Sequence, residues 1–146
     1  METLDDYSRA ALDALLADHP EWTDLVRYAA GGFEIEVQAP SVAAPTLEIW
    51  SEPEELSVAF DRWHTHFDDW DGPSLLGLRW DARTLVAKIL AEEVAVAVQI
   101  NGDHWGGSWL VSDPAKAPEL DEPLAGNQIV YTRSWAGRWD AEYRPA

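Results

Sequence analysis

The chain has no cysteine, which excludes disulfides, zinc–thiolate centres and thiol nucleophiles. Cysteine-free domains suit a reducing compartment. Basic residues are scarce: ten Lys and Arg stand against 27 Asp and Glu, a net charge of −17. Such a field repels nucleic acid and anionic membranes, because both demand neutralisation of phosphate. Long apolar runs are missing too, and no stretch approaches the roughly 18 residues of a membrane span. No serine stands in a nucleophile-elbow pattern and no Gly-rich phosphate loop occurs, so no catalytic residue and no cofactor is assigned. The opening residues, Met1-Glu2-Thr3-Leu4-Asp5-Asp6, are acidic, whereas a secretory leader begins basic and continues apolar. The expected location is therefore the cytoplasm.

What is present points to a folded core. The 146 residues are 47% hydrophobic and include nine Trp, which argues against disorder. A chain of this mass folds with roughly two-thirds of its surface buried, so one domain spanning residues 1–146 needs no staple.

Apolar periodicity predicts a helix over residues 4–18, with Leu4, Ala11, Leu12, Leu15 and Leu16 on one stripe. His19-Pro20 stops it. A short second helix is expected over 21–30, with Trp22, Leu25 and Val26 inward. After Gly31-Gly32 the period changes to two. Phe33, Ile35 and Val37 alternate with Glu34, Glu36 and Gln38; Leu47 and Ile49 with Glu48 and Trp50; Leu56, Val58 and Phe60 with Ser57, Ala59 and Asp61. One apolar and one polar face is the antiparallel signature.

A loop follows over 68–77, then a helix over 82–92 capped by Asp81, with Thr84, Lys88 and Glu92 facing water. Val94 to Ile100 reads as a strand buried on both faces. Asn101-Gly102 is a hairpin signal, and Trp105 to Val111 returns. A Pro-rich acidic loop spans 113–127. A last strand pair covers 128–135 and 138–143, with Ala136-Gly137 between. The expected fold is α+β: one antiparallel sheet of about six to seven strands, with room for strong curvature, and two or three helices packed on one face.

The densest chemistry lies in Phe60-Asp61-Arg62-Trp63-His64-Thr65-His66-Phe67-Asp68-Asp69-Trp70. On an uninterrupted strand His64 and His66 share a face, that of Val58 and Phe60, at the end of the core. Four roles compete. His64, His66 and Asp68 could ligate a metal. Either histidine could act as a general base, oriented by Asp68 or Asp69. The rings could simply be satisfied by hydrogen bonds at a strand end. Or the segment, with Trp70, could recognise a partner.

The outer face of the alternating strands would carry Glu34, Glu36, Glu48, Trp50, Asp61 and Trp63. Exposed Trp beside carboxylates suits a basic protein partner. A covering helix or loop would instead make these rings structural. A base-stacking role for single-stranded nucleic acid conflicts with the charge.

The Trp63-His64-Thr65-His66-Phe67 segment resembles a Trp/Tyr-His-x-His-Phe strand motif of small, acidic bacterial immunity proteins of polymorphic-toxin systems and their relatives. The resemblance covers about ten residues, with looser agreement in size, acidity and element order. It implies a non-enzymatic inhibitor that binds a cognate toxin, often a nuclease or other hydrolase. The motif carries no chemistry to transfer, so His64 and His66 are matching positions only. The expectation is an immunity-type inhibitor of a basic toxin, acting by occlusion. The alternatives are a metal-binding protein or metal-dependent hydrolase using His64, His66 and a nearby Asp, and an acidic structural or regulatory protein.

Overall fold

In the computed structural model, which describes residues 3–40, 45–74 and 78–146, the Asp5 carboxylate accepts the Ser8 N–H at 2.7 Å and starts helix α1, Asp6–Asp18. This satisfies one of the donors that a helix start leaves without a partner. Ala11, Leu12 and Leu15 are buried, and α1 packs on strands β2, Gly32–Gln38, and β4, Glu55–Phe60.

After His19 the chain does not make the expected second α-helix. Pro20–Leu25 is a 3₁₀ helix, and Val26–Ala29 is strand β1, paired antiparallel with β2. Trp22 is buried as expected, whereas Leu25 is exposed and Val26 only half-buried. Proline suits this first helical position, where its missing N–H is not needed. Pairing of Val26 with Ile35 then sets the extended backbone.

The three alternating segments are strands β2, β3 (Thr46–Glu52) and β4, as expected. Strand β5, Trp63–Phe67, completes a sheet of order β1-β2-β3-β4-β5. Its inward side includes Phe33, Ile35, Leu47, Ile49, Leu56, Val58 and Phe60, all at most 2% exposed. Gly32 is required where β2 passes β3. A Cβ there would lie 2.4 Å from the Ser51 carbonyl oxygen, and the Ser51 hydroxyl already accepts the Phe33 N–H at 3.0 Å. Gly32→Ala is expected to cost about 1–3 kcal/mol in urea unfolding, the usual penalty for overpacking. Wild-type stability would show that the strands part without cost.

Asp81 accepts the Thr84 N–H at 2.8 Å and starts helix α2, Ala82–Leu90. Leu85, Val86 and Ile89 are buried. Strands β6 (Ala95–Asn101), β7 (His104–Val111), β8 (Gln128–Arg133) and β9 (Ala141–Tyr143) form a second sheet, ordered β7-β6-β8-β9. Val94 to Val98 are all buried, as a strand covered on both faces requires. Gly102 takes the left-handed conformation, φ +65°, at the β6–β7 turn.

The α+β class thus holds, but the single sheet of six to seven strands does not. Among the described residues there are two antiparallel sheets, of five and four strands. The chain divides into two compact units. One contains residues 1–38, 46–60 and 64–87; the other contains 39–45, 61–63 and 88–146. Among the described residues no helix is long and apolar enough to cross a membrane.

Candidate functional site

The histidine pair sits on the opposite side from the one expected. Asp61 adopts φ +56°, a conformation that Asp tolerates better than most residues. With Arg62 it reverses the chain between β4 and β5. Phe60 and Trp63, three residues apart across this turn, are both buried. The alternation therefore resets. Trp63, Thr65 and Phe67 are buried, whereas His64 is exposed and His66 half-buried. The two imidazoles do share a face, with ring centroids 5.0 Å apart.

His66 is held by β4. Its Nδ1 lies 2.6 Å from the Ser57 hydroxyl and 2.9 Å from the Glu55 carboxylate. A carboxylate at that distance calls for a proton on Nδ1, which leaves Nε2 for other contacts. A nucleophilic triad needs the hydroxyl and the acid on opposite ring nitrogens. Here both reach the same one, so the cluster orients the ring rather than activating Ser57. The acid at the ring is Glu55, not Asp68 or Asp69. Among the described residues no group of three His, Asp or Glu side chains gathers as a metal-ligand set, and His64, His66 and Asp68 form none.

Strand register carries this cluster across the whole sheet. Arg27 pairs with Glu34, Glu34 with Trp50, and Trp50 with Ser57, which contacts His66. One outward row thus crosses all five strands. Glu36 and Glu48 pair directly beside it, and Arg27 reaches Glu36 at 2.6 Å. Glu34 and Glu48 have no cationic partner among the described residues. They flank Trp50 in a shallow cleft of about 460 Å³, walled by Ala29, Ala30 and Pro53.

Asp61 and Trp63 leave this set. Trp63 is 7% exposed, and Asp61 lies in the turn rather than on the strand face. Burial, and then the Asp61 charge, push the Tyr131 hydroxyl above its ordinary value. Asp68 and Asp69 are exposed and line a separate hollow of about 500 Å³ with Tyr7 and Glu54. The Tyr7 hydroxyl donates to the Phe67 carbonyl at 3.0 Å, and burial followed by the Asp69 charge pushes it up to about 12. Trp70 is half-buried, and its carbonyl accepts the Ala82 N–H. The segment 75–77 of the expected 68–77 loop lies outside the described residues.

Reading by residue type missed Arg27, Glu55 and Ser57. Ser57 was on the outward parity, but a serine there carries no signal without its cross-strand histidine. No family model, curated protein or solved structure matches the chain.

Proposed function

We propose that the chain is a non-enzymatic binding protein that occludes a basic protein partner through the outward face of its five-stranded sheet. The observation that carries this reading is Trp50 flanked by two uncompensated carboxylates, Glu34 and Glu48, in a row that ends on the fixed His66 ring. A partner's Lys or Arg can lay its stem on the indole and place its charge between the carboxylates. The net charge of −17 would steer such a partner from a distance. Resemblance of the Trp63–Phe67 segment to immunity proteins supports a toxin domain as the partner. The clustered Glu55 and Ser57 on one nitrogen weigh against a serine-based hydrolase.

The test is capture from the source organism's lysate with wild type and with Glu34→Lys/Glu48→Lys. A basic polypeptide should bind wild type, and the double variant should bind it about 100-fold more weakly, in the range of central charge pairs. Association should slow as salt rises. Co-expression of the chain should suppress the captured protein's activity. Equal binding by the double variant would remove this face from the interface. Binding without suppression would leave a binding protein that is not an inhibitor.

A further inference from the structure

The four-stranded unit contains a cleft of about 590 Å³ between one face of its sheet and the acidic loop. Gln99 and Trp109 line it from the strands, and Glu119, Asp121 and Glu122 contribute its carboxylates. An adjoining hollow of about 440 Å³ shares Trp109, Glu119 and Asp121 with it. Trp109 also packs on the buried cluster of Ala95, Ala97, Val111 and Val130, which fixes the indole in place.

Charge and ring chemistry here are unmatched. Elsewhere in this unit arginines cover aromatic rings: Arg133 lies 4.4 Å from the centroid of Tyr131, and Arg138 lies 4.6 Å from that of Trp139. Among the described residues the Trp109 ring has no such cation, and its indole N–H has no hydrogen-bond partner. Nor do Glu119, Asp121 and Glu122 have an ion-pair partner there, whereas the nearby Lys116 is taken by Asp113 at 3.4 Å. Three like charges within four residues repel one another, and a bound cation would relieve that repulsion.

We propose that this cleft binds an arginine side chain presented by an extended segment of a basic polypeptide. The planar guanidinium stacks on Trp109 and donates to the rim carboxylates in its fork geometry. The adjoining hollow takes the neighbouring residues of the segment, which favours a polypeptide over a free small cation. The site shares no residue with the Trp50 cleft and stands whether or not that reading holds.

The test uses the full chain with ¹⁵N-labelled tryptophan, whose nine Trp residues each contribute an indole N–H signal. Trp109→Phe assigns its signal. Titration with a hexa-arginine peptide should shift the Trp109 signal saturably. Glu119→Gln/Asp121→Asn/Glu122→Gln should weaken that binding at least about tenfold, as loss of charge-assisted pairing implies, while the other eight signals of the peptide-free variant keep their wild-type positions. Glu34→Gln/Glu48→Gln should leave it unchanged. An unmoved Trp109 signal, or undiminished affinity in the triple variant, would overturn the site. Equal shifts with spermine would reduce it to bulk charge attraction, and equal affinity for free arginine would overturn the polypeptide assignment.

Discussion

Phe67→Ala is expected to destabilise the protein by about 3–5 kcal/mol, while His64→Ala changes stability by less than about 0.5 kcal/mol. The two residues belong to the same five-residue strand. Phe67 is fully buried, and the carbonyl of the same residue anchors the Tyr7 hydroxyl of α1 at 3.0 Å. Truncation removes the ring's transfer energy and leaves a cavity that close packing fills only in part. His64 is exposed, so its loss removes solvent contacts and one edge contact with the His66 ring. Against a total of about 5–15 kcal/mol for an ordinary domain, the Phe67 loss is a large fraction. Urea unfolding followed by tryptophan fluorescence measures both. A cost below about 1 kcal/mol for Phe67→Ala would mean that the aromatic half of the motif does not anchor β5. A large cost for His64→Ala would mean that the motif's polar half is structural.

That contrast marks how far the sequence was legible. The odd–even alternation of β2, β3 and β4 identified the apolar face correctly, because side-chain direction in a strand follows sequence directly, although Ser57 on the other parity is also buried. Caps are equally local, and the Asp81 cap of α2 stands as expected. Strand β1 was hidden because its residues are mostly exposed and its extended form depends on pairing with β2, a non-local event. Strand β5 was hidden by the Asp61-Arg62 turn. This pair lacks the glycine that marks Asn101-Gly102, and passing it inverts which parity faces inward. The same inversion explains why the His64–His66 pair was expected at the core end and Trp63 outside. Alternation also says nothing about which strands share a sheet, so one sheet was expected where two exist. For the candidate face, Glu34, Glu36, Glu48 and Trp50 were readable from parity. Glu55 and Ser57 acquire meaning only when His66 arrives opposite them.

Glu92 was read as a water-facing residue of α2, and the geometry corrects this with a measurable consequence. Its N–H donates to the Ile89 carbonyl at 3.1 Å, and the Glu93 N–H donates to that of Lys88 at 3.0 Å. This hydrogen-bond pair ends a helix on a left-handed residue, usually glycine; here Glu92 has φ +57°. A non-glycine residue there costs about 1 kcal/mol. The side chain offsets that cost. Its carboxylate accepts the Ser134 hydroxyl at 2.6 Å and the Arg138 N–H at 2.9 Å, while the Glu92 backbone carbonyl accepts the Trp139 indole N–H at 2.9 Å. One residue thus organises the 134–140 connection between β8 and β9.

Burial alone would raise the Glu92 pKa. The Ser134 hydrogen bond, those from the Arg138 and Ala136 N–H groups, and the Arg138 charge outweigh burial and hold it below the ordinary value of 4.5. A depressed folded pKa stabilises the fold fully above the unfolded value, and the contribution is lost as pH falls through the folded value. At neutral pH, Glu92→Ala should cost about 2–4 kcal/mol through lost charge-assisted hydrogen bonds and donors left unsatisfied. Glu92→Gln should cost less, because one amide oxygen remains to accept. Glu92→Gly should recover about 1 kcal/mol relative to Ala by relieving the backbone. The gap between wild type and Glu92→Ala should narrow as pH is lowered from about 5 to about 3, because protonation withdraws the same carboxylate that the substitution deletes. Urea unfolding across that range measures the gap. A gap that does not vary with pH would show that Glu92 acts through packing and backbone alone, not through its charge.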